Sequence, residues 1–136
     1  VLFTAHSLPQ RIIDGGDPYP NELRATATAV ADRLGLREGE QWSIAWQSAG
    51  RTPEPWIGPD ILEVIDQLAG DDADVDGVVV SAVGFVADHL EVLYDLDIEA
   101  RKHAEARSLS FARTTCVNDD RVVMEALAQR VIGLVE

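Results

Sequence analysis

The chain has 136 residues, 46% of them hydrophobic and 26% charged, which is the composition of one ordinary globular domain and not of a disordered or fibrous segment. Eleven Lys and Arg stand against 24 Asp and Glu, a formal charge of −13, which disfavours binding by neutralising nucleic-acid phosphates or an anionic membrane surface. The lone cysteine, Cys116, forbids an intrachain disulfide and a cysteine-rich zinc site, and no apolar run reaches the ~18 residues of a membrane span.

Residues 1–5 read as a buried strand leading into a turn at Ser7-Leu8-Pro9. A chain that opens in mid-strand, with no initiator Met and no signal-peptide pattern, reads as an excised piece of something longer. Residues 10–18, with two glycines and a proline, are expected to be loop. A helix follows over 19–36, its apolar positions Leu23, Ala27, Val30 and Leu34 spaced 4, 3 and 4 apart, with Pro20 in its first turn and Gly35 at its exit. Residues 42–46 are the second strand, and the Gly/Pro-rich stretch 48–59 is a long shaped loop. A second helix over 59–69 is expected to bury Ile61, Leu62, Ile65 and Leu68, and residues 71–76 form a solvated acidic turn. The near-continuous apolar run 78–83 has the pattern of a parallel strand covered on both faces. A long helix over 86–106, a short strand over 108–113 and a final helix capped by Asn118 or Asp119 complete the chain; the last helix carries the apolar stripe Val123, Leu127, Val131 and Leu134.

This βαβαβαβα order predicts an α/β three-layer sandwich, a four-stranded parallel sheet flanked by helices. In such folds ligands sit at the carboxyl ends of the strands. Three places qualify: His6-Ser7, Gln47-Ser48, and the segment from Gly84-Phe85 to Asp88-His89-Leu90-Glu91. Imidazole titrates near neutrality and ligates metals, although a strand-end histidine is also a common hydrogen-bonded loop residue. Glu91, Asp95 and Glu99 fall at i, i+4 and i+8, which aligns three carboxylates on one helix face. A solvated outer face is the plain reading; capture and transfer of a divalent cation is the functional one. Trp42 and Trp46 read as core, Trp56 as a loop anchor or a clamp on a flat ligand, His103 as solvent-facing, and Cys116 as a small buried hydrophobe. The sequence lacks the glycine-rich nucleotide and phosphate loops, the hydrolase nucleophile motif and paired cysteines, so nucleotide, phosphoryl and triad chemistry have no support.

Several of these segments resemble the ferrochelatases. Phe3-Thr4-Ala5-His6-Ser7-Leu8-Pro9 and Asp17-Pro18-Tyr19-Pro20 are similar to one family motif and the segment after it. Gln47-Ser48 with Pro55-Trp56-Ile57-Gly58-Pro59 resembles a second, and Gly84-Phe85-Val86-Ala87-Asp88-His89-Leu90-Glu91 resembles a third, followed by Asn118-Asp119-Asp120 before a last helix. Ala82 and Glu22 depart from the family's more usual Pro and Gln. The resemblance covers the whole chain in order and implies the C-terminal domain, residues 1–136, of a two-domain enzyme with a chelatase-like, flavodoxin- or Rossmann-like half. It implies insertion of ferrous iron into a porphyrin in heme biosynthesis in the cytoplasm, with coproporphyrin III favoured over protoporphyrin IX. By position, His6 and Glu91 would be the catalytic and metal-contacting pair. Asp95 and Glu99 would form an acidic ridge for a second divalent cation, Ser48 and Trp56 would lie against the porphyrin, and His89 would be supporting. Arg or Lys of the absent N-terminal domain would meet the porphyrin carboxylates. Cys116 alone cannot supply the four-cysteine set of a 2Fe–2S cluster found in some relatives. A sirohydrochlorin-type cobalt or iron chelatase and a non-catalytic α/β metal- or ligand-binding module are the competing readings, and the piece by itself could pair as a dimer through an exposed apolar wall.

Overall fold

The structure, a computed structural model, describes residues 1–70 and 74–135. Four strands, β1 (Leu2–His6), β2 (Ser43–Gln47), β3 (Gly77–Ser81) and β4 (Ser110–Arg113), form one sheet in the order β2-β1-β3-β4, with every pairing parallel. The expected α/β architecture is therefore the observed one. Around the sheet lie α1 (Gln10–Asp14), α2 (Tyr19–Leu34), α3 (Ile61–Leu68), and a composite helix. The composite helix opens as α4 (Leu90–Val92), passes through a π-helical segment (Leu93–Ala100) and closes as α5 (Arg101–Glu105). The last helix is α6 (Arg121–Ile132).

Alternation along the strands divides the core between two faces. Leu2, Ala45, Val78 and Val80 join Ile61 and Ile65 of α3 and Leu96 and Ala100 of the π-helical segment on one side. Phe3 and Trp42 pack with Ala27 and Ala31 of α2 on the other, beside Ala5, Leu23 and Trp46. Phe3, Ile65 and Leu96 are fully buried, and each such side chain contributes about 1.5–3 kcal/mol. Trp42 and Trp46 are core, as their place in a strand predicts.

The α2 layer is the thinner one. Val79 remains 44% exposed, so β3 is covered on only one face at that residue, contrary to its uniform apolar run. On α2 itself Ala31 is buried while Val30 and Leu34 are exposed, because the contact stripe follows Leu23, Ala27 and Ala31 at strict i+4 spacing. On α3 the buried set is Ile61, Val64 and Ile65, with Leu62 and Leu68 only partly covered. Residues 10–14, expected as loop, close one short helix because Pro9 sets its start and Gly15 its end. The composite helix begins at Leu90, not Val86, since residues 82–89 are held in a tight loop by Gly84 N–H donating to Thr4 O at 3.0 Å. The cap of α6 is Asp120, whose Oδ1 accepts from Val122 N and Val123 N at 3.0 and 3.1 Å. No residue of α6 is buried, so its apolar stripe lies in solvent. Of the acidic turn expected over 71–76, residues 71–73 lie outside the described residues.

Candidate functional site

From β1 the chain runs outward to β2, then crosses back over β1 to β3 and on to β4, so the direction of winding reverses between β1 and β3. The crevice at the carboxyl ends of those two strands is where α/β sheets take ligands. His6 ends β1, and the loop after β3 leads to Glu91; the structure brings the two together, with His6 Nε2 3.8 Å from Glu91 Oε2 and both side chains partly exposed. Nδ1 of His6 lies 2.5 Å from Ser7 O. A carbonyl only accepts, so that contact is a hydrogen bond when Nδ1 carries the proton, the tautomer that leaves Nε2 as the acceptor of the ring. The backbone around His6 is fixed from three sides. Ser7 N donates to Gln47 O at 2.7 Å, the buried Ser7 hydroxyl donates to Ile57 O at 2.7 Å, and Tyr19 Oη donates to His6 O at 3.1 Å. Burial raises the Tyr19 phenol above its ordinary value, so it stays a donor.

His89 does not face the crevice chemistry directly. Its Nδ1 accepts from Glu91 N at 3.2 Å, capping the composite helix, and its ring meets Phe85 edge-on at 5.1 Å. The cap fixes the backbone of Glu91. Ser48 sits just beyond β2 in left-handed conformation, φ 60°, and its hydroxyl donates to Asp95 Oδ2. That ties one carboxylate of the helix to the sheet. Asp95 and Glu99 share a cavity of about 280 Å³ with Ser48, Asp60, Gln47 and Tyr94. Burial, with Glu63 and Asp95 nearby, holds the Asp60 carboxyl above its ordinary value despite the hydrogen bond from Leu62 N. Gln47 is buried there with its amide oxygen accepting from Thr4 Oγ1 at 3.0 Å, while Nε2 has no partner among the described residues. A larger hollow of 470 Å³ opens at the opposite end of the sheet, beside Val1, Trp42 and Gly77, away from all of these groups.

His6, Glu91, Asp95 and Glu99 thus fall into two places, a His6–Glu91 pair and an Asp95–Glu99 cavity. Among the described residues no group of three or more His, Cys, Asp or Glu side chains is gathered as a ready metal cage. Trp56 anchors its own loop: the indole N–H donates to Thr52 Oγ1 at 2.9 Å, and the ring lies so close over Gly50 that a Cβ there would stand 2.3 Å from Cζ2. His103, expected in solvent, lies 2.9 Å from Asp66, which Arg107 also engages.

One constellation escaped the sequence reading. Arg113, at the carboxyl end of β4, has a side chain only 8% exposed. Its Nε and Nη2 donate to both oxygens of Asp97 at 2.8 Å, and its Nη1 donates to Asp88 Oδ1 at 2.7 Å and to Thr114 O at 2.8 Å. Asp88 also accepts from Asn118 Nδ2 at 2.8 Å, and its own N–H donates to Asn118 Oδ1 at 2.9 Å. The Asn118 hydrogen bond, then those from Cys116 and Arg113, hold the Asp88 carboxyl far below the usual range; Arg113 does the same for Asp97. Burial, with Asp88 beside it, pushes the Cys116 thiol up to about 11. The rule that selected three strand ends applies equally to the fourth, and would have found Arg113.

A parallel sheet whose winding reverses at a crevice, with a histidine opposite a carboxylate at its mouth, is the architecture of α/β proteins that take ligands at such a crevice. The Ferrochelatase family model matches residues 1–133. The chain belongs to the ferrochelatase family. It is 44% identical over 132 residues to the coproporphyrin III ferrochelatase of Geobacillus thermodenitrificans, covering 97% of this chain and 40% of that one. It is 44% identical over 133 residues to a ferrochelatase of Herpetosiphon aurantiacus (98% and 42%) and 45% identical over 130 residues to one of Thermus thermophilus (96% and 39%). The chain therefore spans about two fifths of the length of these relatives. No helix among the described residues is long and apolar enough to cross a membrane.

Proposed function

We propose that residues 1–136 are the C-terminal domain of a two-domain enzyme that inserts ferrous iron into a porphyrin for heme synthesis in the cytoplasm, and that this domain supplies its histidine and carboxylate side. The observation that carries the reading is His6 Nε2 facing Glu91 at 3.8 Å in the crevice between β1 and β3. Metallation removes two pyrrole N–H protons as Fe²⁺ takes their place, so the ring leaves with the metal and two protons leave to groups of the protein or to water. A neutral imidazole with its lone pair turned into the crevice accepts one such proton, and the carboxylate beside it stabilises the imidazolium that results. The two orienting contacts on the His6 backbone and Nδ1 keep that lone pair aimed. Asp95 and Glu99, in their cavity one and two turns along the helix from Glu91, offer oxygen donors to a second divalent cation on its way to the ring. Ser48 contributes to the substrate side through Asp95, and Trp56 through the loop it stiffens.

Coproporphyrin III is the favoured ring, since relatives from Geobacillus bear that name; Herpetosiphon and Thermus relatives bear the broader one. A chain carrying −13 repels a substrate bearing carboxylates, so Arg or Lys of the N-terminal domain would receive them. The uncovered apolar face of α6 supports a neighbouring body, either that domain or, for the piece alone, a second copy. The test is Fe²⁺ insertion by the full-length protein into coproporphyrin III, protoporphyrin IX and sirohydrochlorin. Turnover on coproporphyrin III that falls about 10²-fold or more in His6→Ala supports the reading, as loss of a positioned base should. Near-normal turnover of His6→Ala overturns the catalytic role of His6; preference for sirohydrochlorin overturns the substrate.

A further inference from the structure

We infer that Arg113 is a positioning residue for metal insertion: by gripping Asp88 and Asp97 at once, its guanidinium sets where Glu91 and the π-helical turn carrying Asp95 stand. The inference rests on the metallation reading above and names a residue outside the His6–Glu91 pair and the acidic cavity.

The geometry is specific. Asp88 lies three residues before Glu91, and Asp97 lies two residues after Asp95, so one side chain holds both ends of the stretch that bears the crevice carboxylates. The opposite tether is Ser48 on Asp95. Ser48 follows β2 and Arg113 ends β4, and these are the two edge strands. The π-helical segment is thus drawn toward both edges of the sheet, through one carboxylate to each side. A π-helical turn closes i→i+5 hydrogen bonds and is a rare geometry that persists where its surroundings over-determine it. Ser48 and Arg113, together with the buried Leu96 and Ala100, supply that over-determination.

Stability alone does not account for the arrangement. A buried guanidinium with two carboxylates gains little over apolar side chains of equal volume, because desolvation offsets the attraction. What the planar fork supplies is direction: two parallel N–H donors on Asp97 and a third on Asp88, a pattern an ammonium cannot reproduce. Asn118 completes the grip by pairing with Asp88 through both its side-chain amide and its carbonyl.

The test uses the full-length enzyme carrying Arg113→Lys, with Asp97→Asn as a second variant that frees the π-helical segment while leaving Asp88 held. Expected in Arg113→Lys is a rise of about tenfold or more in KM for Fe²⁺, as for loss of a group that orients metal-contacting residues. KM for the porphyrin stays within twofold. Amide hydrogen exchange over residues 93–100 speeds up while that of β1 and β3 is unchanged. Asp97→Asn shows the same split with smaller amplitude, and decides the matter if Arg113→Lys does not fold. The inference is overturned if neither KM moves, or if metal and porphyrin KM rise together with exchange throughout the sheet, the mark of a merely structural residue. A wild-type protein with no insertion activity overturns the proposed function instead, and exchange over 93–100 still judges whether Arg113 holds the π-helical segment.

Discussion

Gly84 offers the sharpest test of how the crevice is assembled. A Cβ added there would stand 2.3 Å from the Cβ of Ala5, 2.8 Å from its Cα and 3.4 Å from Thr4 O. Ordinary contact begins at 3.4 Å, so Gly84→Ala must open the loop from β1 by about 1.1 Å, and the obstructing atoms belong to β1 itself and cannot swing aside. His6 is the next residue after Ala5, and Glu91 lies at the far end of the same loop, so the displacement falls on the 3.8 Å separation of the pair. Overpacking of this kind costs about 1–3 kcal/mol, which for a protein of the relatives' length lowers Tm by roughly 1–2 °C per kcal/mol. A displacement of ~1 Å at reacting groups costs up to about 10²-fold in rate. The expected outcome for full-length Gly84→Ala is therefore a folded enzyme, a few degrees less stable, whose porphyrin metallation falls by more than the stability loss explains. Loss of porphyrin fluorescence on Fe²⁺ insertion, or the shift of its emission on Zn²⁺ insertion, gives the rate, and thermal melting gives Tm. Gly133→Ala, at the end of α6 where the nearest atom to a Cβ is Gln129 O at 3.5 Å, is the matched control and should leave both unchanged or slightly raise Tm. Full activity together with an unchanged Tm in Gly84→Ala would refute the close approach of loop and strand.

Two further outcomes follow from the Asp88–Arg113–Asp97 cluster. Both carboxyls are held below their ordinary range, so their contribution to stability is present above about pH 4, the unfolded value, and is lost as pH falls through the lower folded values. Melting followed from pH 6 to pH 2 should therefore drop less steeply for Asp97→Asn than for the wild type, and superimposable acid limbs would exclude the contribution. The Cys116 thiol, pushed from 9.0 to about 11 chiefly by burial, should react with a disulfide reagent at pH 8 at least roughly tenfold more slowly in the native protein than in denaturant. Equal rates would show the thiol to be exposed and ordinary.

Hydrophobic period and turn residues made the sheet legible: each strand is a short apolar run, and Trp46 of the second, with Trp42 just ahead of it, falls in the core. Element ends were less so. Val86 belongs to an apolar-looking stretch, yet helix cannot begin before Leu90 because the loop ahead of it is bonded to β1 and Asn118. The π-helical segment has no signature in a pattern of i+3 and i+4 spacings, since it depends on tethers from Ser48 and Arg113 that are distant in sequence. The stripe on α6 is apolar as its period predicts, yet none of it is buried; periodicity marks a face to be covered, not what covers it. Within the site, the His6–Glu91 pairing was reachable from strand-end logic and the resemblance together. The same rule reaches Arg113 at the end of the fourth strand but not its part, because a lone arginine in a short edge strand looks like a solvated charge until Asp88 and Asp97 are seen on either side of it.

The strand order carries a consequence for how the domain acquires its shape. β1 is the most enclosed strand, paired on both edges, yet it precedes every partner in the chain: β2 arrives some forty residues later and β3 more than seventy. An all-parallel sheet has no hairpin to start it, so each pairing waits on closure of a long crossover. During synthesis Leu2, Phe3 and Ala5 spend that interval as a bare apolar edge on both sides, open to any stray strand. The same strand that places His6 in the crevice thus waits on both of its partners, and folding should be slow for the chain's size, limited by the return of β3 to β1.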